Sequence, residues 1–296
     1  MEWFQIQVLV SDESFKEAIS SYFFDLGAEG ISETVDKGVS QGLCACFPTQ
    51  RQTEIESRFK EYLDSIQAIS PQPAQISWSI NPVSKENWAE KYKEFYLAQK
   101  LTHRFFLRPR WDTETKIPND MYPILLDPGQ AFGTGLHQST RLSMKLMEDV
   151  AGLFPALEPV SLLDVGTGSG ILAIAAHHLG FGKIVAIDND LDAVRVAQEN
   201  MKFNGAEKVQ VAGTLISELN APFDIVVSNI LLETHTQLAM HYQRLLKPGG
   251  LLILSGLLGG QLNFLEPELK KLRFDFQQSY LLQEWAAFSY VLRPLP

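Results

Sequence analysis

The stretch DVGTGSG, from Asp164 to Gly170, places one acid ahead of three glycines at spacing two. It lies between an apolar strand, VSLLDVG, and an apolar helix that opens at Gly170. Glycine lets a backbone turn sharply and approach a ligand closely. The helix beyond offers free N–H groups at its N-terminus. Such a turn holds nucleotides, and the spacing narrows which. A dinucleotide fingerprint reads G-x-G-x-x-G. Here Gly166, Gly168 and Gly170 follow G-x-G-x-G, one residue short. Asp164 would also repel a pyrophosphate. An anion at that place suits a ligand with a positive group, such as an amino-acid ammonium.

A second acid extends the reading. The next strand ends in AID, and Asp188 stands 22 residues past Gly166 (188 minus 166). An acid near this distance hydrogen-bonds the ribose hydroxyls of a bound nucleoside. Asp188 could instead cap the helix that starts in NDLDAV. Asp190 fills that role too, which leaves Asp188 to the ligand. A ligand with an amino-acid end and a nucleoside end is S-adenosylmethionine. Asn229, in VVSNILLE, sits at the end of a later strand, where it can orient a methyl-accepting nitrogen or the cofactor. Asn at a strand end also serves as a plain turn or cap. The stretch lacks the N-P-P-Y form used on planar amide or adenine nitrogens.

A second glycine loop, LDPGQAFGTGLHQSTR, runs from Leu126 to Arg141. It holds Gly129, Gly133 and Gly135 with Phe132, Thr134 and His137 among them. Loops of this composition commonly close over a ligand. The bland alternative is a connection whose Ser139 or Thr140 caps the following helix. No general base stands out: His137 is a lone loop histidine, and His177 and His178 sit on a helix as surface or packing residues. No His, Cys or Asp cluster has metal spacing. Cys44 and Cys46 fit neither a disulfide framework nor a C-x-x-C motif.

These residues need a frame. From about Leu101 the chain alternates strands and helices: VSLLDVG, KIVAID, KVQVA, FDIVVSN and GLLILSG, with helices from Gly170, Leu191, Leu231 and around Gln261 to Leu272. That pattern predicts an α/β doubly wound, mostly parallel sheet. Two last strands, FDFQQSYLLQ and WAAFSYVLRP, lack a helix between them, so one should run antiparallel. Residues 1–83 read strand, helix, strand, strand, helix, strand, the ferredoxin-like α+β order. Residues 84–100 read as a charged linker helix with an aromatic stripe of Trp88, Tyr92, Phe95 and Tyr96. Residues 101–296 form the larger domain.

Composition bounds the rest. The 296 residues carry 25 Lys and Arg against 35 Asp and Glu, a net charge of −10. Up to Val83 the balance is 5 against 12, or −7; the remainder has 20 against 23, or −3. An acidic small domain disfavours direct nucleic-acid binding and favours a basic partner. No apolar run reaches ~18 residues, so no transmembrane helix is expected. The N-terminal stretch MEWFQIQVLVSDES does not read as a signal peptide.

The stretches DPGQAFGTGLHQST, LLDVGTGSGILAIAA, AIDNDLDAV and SNILLE together resemble the ribosomal protein L11 methyltransferase (PrmA) family. The resemblance spans the whole chain, and the loop DPGQAFGTGLHQST is its most specific part. It implies a class I methyltransferase domain using S-adenosylmethionine. It implies a substrate that is a large-subunit ribosomal protein, methylated on lysine side chains and the N-terminal α-amine. It makes the small N-terminal domain the recognition module and the protein a cytoplasmic monomer without membrane or nucleic-acid contact. By motif position, Thr140, Gly166, Asp188 and Asn229 would contact the cofactor, with Phe132, Gly133, Thr134 and Gly135 lining it; the residue reading adds Asp164 and Gly168. Three other readings stay open from the residues alone: a methyltransferase of another protein or small molecule, an NAD-dependent oxidoreductase, and a non-enzymatic assembly factor.

Overall fold

The computed structural model describes residues 3–10, 19–20, 22–23, 26–28, 30–36, 40–69, 76–83, 96–127 and 135–294. The chain forms two compact units, 1–95 and 96–296.

In the first unit, β1 (Trp3–Val10), β2 (Gly30–Asp36), β3 (Ser40–Pro48) and β4 (Ile76–Val83) make a sheet of order β2-β3-β1-β4. Every pairing is antiparallel, with Trp3 opposite Pro48 and Val83. That is the ferredoxin-like order. Strand β1 alternates strictly, burying Phe4, Ile6, Val8 and Val10, as a sheet with one covered face requires. Helix α1 (Gln52–Ile69) turns Ile55, Phe59 and Leu63 onto that face, one helical stripe at i, i+4, i+8. Phe59 stacks on Phe23 at 4.9 Å and meets Trp78 edge-on at 5.5 Å. Most of the helix expected over 12–28 lies outside the described residues. Its end is described: Gly27 takes φ 81, and the Ala28 N–H bonds back to the Phe23 carbonyl. This is the glycine-terminated helix end that the sequence suggests.

Residues 84–95, most of the expected linker helix, also lie outside the described residues. Its last residues are not helical: Gln99–Lys100 form a short strand, β5, against β6 (Phe105–Arg108), with β7 (Tyr122–Leu125) parallel beyond it. Tyr96 is buried beside Trp111, ring centroids 5.9 Å apart.

The second unit is built on a seven-stranded sheet. Its strands are β8 (Ser161–Val165), β9 (Lys183–Ile187), β10 (Gln210–Ala212), β11 (Phe223–Asn229), β12 (Leu246–Leu258), β13 (Phe274–Leu282) and β14 (Trp285–Leu292), in the order β10-β9-β8-β11-β12-β14-β13. The strands are parallel except β14, which lies antiparallel between β12 and β13. The helices are α2 (Gln138–Ala151), α3 (Ile171–Leu179), α4 (Leu191–Phe203), α5 (Leu232–Leu245) and α6 (Leu262–Lys271). All five residues of β8 are buried, as expected of a parallel strand covered on both faces. The chain leaves β8 toward β9 and β10, then returns to β11 on its other side. The strand order therefore reverses between β8 and β11, and ligands of open α/β sheets bind at such a point, beyond the carboxyl ends.

Candidate active site

The turn after β8 is held by its glycines. Gly166, Gly168 and Gly170 have φ of 72, 54 and 84, a region that costs other L-residues roughly 1–2 kcal/mol. Packing adds to this: a Cβ on Gly166 would lie 2.6 Å from Ile230 Cγ2, and one on Gly170 2.7 Å from Met201 Cε. Gly166 and Thr167 donate their N–H groups to the Ile187 carbonyl at 2.9 and 3.0 Å. This ties the turn to the end of β9, where Asp188 stands.

Asp188 accepts the Gly168 N–H at 2.9 Å on one oxygen and the Asp190 N–H at 3.0 Å on the other. Asp190 caps α4, accepting the Asp192 N–H at 2.9 Å. Asp190 caps the helix, as the sequence suggests; Asp188, which the sequence reading gives to the ligand, is here held by the backbone N–H groups of Gly168 and Asp190.

Asp164 is completely buried. Thr167 donates its hydroxyl to Oδ2 at 2.6 Å, whereas Oδ1 is buried without a hydrogen-bond partner. Burial pushes the carboxyl up to about 7; the Thr167 hydroxyl and the Ala173 N–H oppose this and the Asp188 charge adds to it. Asp164 pairs with Val227 across β8 and β11, so Asn229, two residues on, projects from the same face. Its Nδ2 donates to Thr140 Oγ1 at 3.3 Å, and its Oδ1 is also buried without a partner. One face of the switch point therefore carries two buried acceptors with spare capacity, one of them acidic. Such atoms are costly unless a donor meets them.

The far side of the cleft is partly described. Phe132, Gly133 and Thr134 lie outside the described residues. Gly135 follows with φ 85, and a Cβ there would come within 2.7 Å of Ile171 Cδ1. The end of the 126–141 glycine loop thus abuts the helix that the glycine turn at 164–170 opens. Thr140 and Ser139 lie inside α2, and His137 is its cap: Nδ1 accepts the Ser139 N–H at 3.3 Å and lies 2.7 Å from the Ser139 hydroxyl. That use of Nδ1 favours the neutral ring with its proton on Nε2, and burial lowers the histidine's pKa despite the nearby Glu284 charge. His137 also meets Trp285 edge-on at 4.3 Å. No local sequence signal joins a loop histidine to a strand tryptophan 148 residues later (285 minus 137). His178 stacks on Tyr122 at 5.6 Å, a packing role. Among the described residues no group of His, Cys, Asp or Glu is arranged to hold a metal, and no helix is long and apolar enough to cross a membrane.

A parallel sheet of this order with a glycine turn and two acids at its switch point defines a class I S-adenosylmethionine-dependent methyltransferase. The family model described as ribosomal protein L11 methyltransferase (PrmA) matches residues 2–293, and the chain belongs to that family. Relatives named ribosomal protein L11 methyltransferase include one from Pelobacter propionicus, 33% identical over 80% of this chain and 78% of its own. Another, from Streptococcus mutans serotype c, is 31% identical over 98% of this chain and 96% of its own. A crystal structure described as ribosomal protein L11 methylase, from Lactobacillus delbrueckii subsp. bulgaricus, superposes with a TM-score of 0.62 at 32% identity, covering 67% of this chain and all of that one.

Proposed function

We propose that this chain transfers methyl groups from S-adenosylmethionine to amines of ribosomal protein L11, namely lysine side chains and the N-terminal α-amine. The observation that carries the reading is the pair of unpartnered buried acceptors, Asp164 Oδ1 and Asn229 Oδ1, on one face of the switch point. They match a ligand bearing an ammonium, and an amine that must be aligned. In this reading Asp164, Gly166, Gly168, Asp188, Thr140 and Asn229 hold the cofactor, and Phe132, Gly133, Thr134 and Gly135 line it.

Bound S-adenosylmethionine supplies an electrophilic methyl group on a sulfonium. The protein's part is alignment, which can be worth ~7–11 kcal/mol in a displacement of this kind. Thr140 fixes the Asn229 amide by accepting from Nδ2, which leaves Oδ1 to accept an N–H of the incoming amine or of the cofactor. That amine must be neutral to attack. A lysine with an ordinary pKa of ~10.4 is mostly protonated at neutral pH, and desolvation in a cleft beside a positive charge lowers that value. His137 is spent as a helix cap. His235 is fully buried, held neutral by burial with its pKa lowered to about 4, and engaged with Tyr242 and the Ser255 carbonyl. Neither serves as the base, and the departing proton goes to solvent.

Residues 1–83 would recognise the substrate, joined by residues 84–100 to the catalytic domain, 101–296. Their charge of −7 suits a basic ribosomal protein. The protein would act as a cytoplasmic monomer without direct contact to nucleic acid or membrane. Calorimetric titration tests the cofactor reading: S-adenosylmethionine should bind and NADH should not. Tight NADH binding with none for S-adenosylmethionine would return the oxidoreductase reading.

A further inference from the structure

Helix α4 and its C-cap present two buried asparagines four residues apart, Asn200 and Asn204, 5% and 9% exposed. Each reaches a different segment of the cleft. Asn200 Nδ2 donates to the Ser169 carbonyl at 2.8 Å, inside the glycine turn. Asn204 grips Leu125, the last residue of β7. Its Oδ1 accepts the Leu125 N–H at 2.8 Å, and its Nδ2 donates to the Leu125 carbonyl at 2.8 Å. The other Nδ2 proton goes to the Asn200 carbonyl at 2.8 Å. Among the described residues strand β7 pairs with β6 alone, so its outer edge has no strand partner there. The Asn204 carboxamide supplies there, for one residue, the donor and acceptor a neighbouring strand would give. The chain then needs only ten residues (135 minus 125) to reach Gly135, which packs on Ile171 beside the same glycine turn.

We infer that Asn200 and Asn204 are positioning residues for the cofactor: together they fix the end of β7 and the glycine turn to one rigid helix and so set the spacing of the two segments that bound the cleft. The inference rests on the S-adenosylmethionine reading. The chemistry requires a carboxamide. Aspartate at 204 lacks the two donors, alanine or leucine leaves both backbone groups of Leu125 unpaired, and glutamine is one methylene too long. The same helix is already tied to the turn by Asp188, just before it, and by Ala197 and Met201 under Gly170. One face of one element thus carries the whole arrangement.

The test is calorimetry with S-adenosylmethionine, together with steady-state kinetics on folded protein. Asn200→Ala and Asn204→Ala should each raise Kd and KM for S-adenosylmethionine about tenfold, the effect of one net hydrogen bond, with kcat within about twofold. Asn204→Asp sets a buried carboxylate oxygen against the Leu125 and Asn200 carbonyls and should weaken binding at least as much as Asn204→Ala. Gln198→Ala removes an amide contact of the same helix to the Val211 carbonyl, away from the turn, and should leave Kd unchanged. If an alanine variant does not fold, Asn204→Ser and Asn200→Ser carry the test. A lowered Tm with unchanged Kd in these variants overturns the inference. Wild-type protein that fails to bind S-adenosylmethionine overturns the cofactor reading itself, a result distinguishable from that one.

Discussion

Two aspartates stand at opposite ends of the same pair of strands. Asp224, at the amino end of β11, is fully engaged: Oδ2 accepts the Ser161 N–H at 2.8 Å, the Ser161 hydroxyl at 2.6 Å and the Lys247 ammonium at 2.8 Å. Asp164, near the carboxyl end of β8, has one short bond from Thr167 and an oxygen with no partner. Burial pushes both carboxyls up. At Asp224 the contacts to Lys247 and Ser161 outweigh it and the pKa ends low; at Asp164 they do not, and the value reaches about 7. Asp224 pins two strands together. Asp164 is kept destabilised, as a ligand-binding group at a switch point should be. Position along a parallel strand, more than residue type, separates a structural acid from a working one.

The sharpest way to break this contrast is to neutralise each acid in turn. Asp164→Asn should weaken S-adenosylmethionine on the order of 100-fold, about 2.7 kcal/mol, without lowering the Tm of the free protein, because a buried charge has been removed. Asp224→Ala should do the reverse. It leaves the Ser161 N–H and hydroxyl without their acceptor and should cost ~1–3 kcal/mol in denaturant titration, with Kd for the cofactor unchanged. If Asp224→Ala weakens the cofactor as much as Asp164→Asn does, the two ends are not distinct.

Asp188 lies between these extremes, since it braces Gly168 at the switch point and is proposed to hold the cofactor. Asp188→Asn should weaken the cofactor about tenfold, ~1.4 kcal/mol, read by calorimetry. The smallest effect is a pH dependence. Asp164 has a folded pKa of about 7 against an ordinary 3.8. Its contribution to stability is therefore fully present below about pH 4 and is lost as pH rises through about 7. Asp224, with a lowered pKa, contributes above 3.8 and loses that contribution as pH falls through its folded value. Binding a cation beside Asp164 favours the carboxylate, so cofactor affinity should tighten from pH 6 to pH 8. In Asp164→Asn that slope should vanish; a slope that persists would assign the titration elsewhere.

Much of this was legible in the sequence, because local rules govern it. The strand periodicities mark the strands of the four-stranded and seven-stranded sheets, and the start of α4 at Leu191 follows from Asp190 as its cap. The three glycines of the turn announce the positive φ values they adopt. Asp188 and Asn229 stand at the strand ends assigned to them, and the last strand pair contains the expected antiparallel member, β14. What stayed hidden depends on distant partners. Asn204 reads as an ordinary helix end until Leu125, 79 residues earlier, is brought beside it. Asn200 reads as a helix residue until the turn packs over it. His137, rather than Ser139 or Thr140, caps α2, because a histidine nitrogen accepts an N–H as well as a hydroxyl does and His137 is the residue just ahead of the helix. The linker helix reading ran too far, since Gln99–Lys100 are drawn into the β6 edge.

Intact-mass spectrometry of ribosomal protein L11 from a methylation-deficient strain, incubated with this protein and S-adenosylmethionine, tests the central claim most directly. The account predicts a ladder of ~14 Da steps on L11 that Asp188→Ala abolishes. An unchanged L11 mass, with S-adenosylmethionine still bound by calorimetry, would contradict it and leave a methyltransferase whose acceptor lies elsewhere.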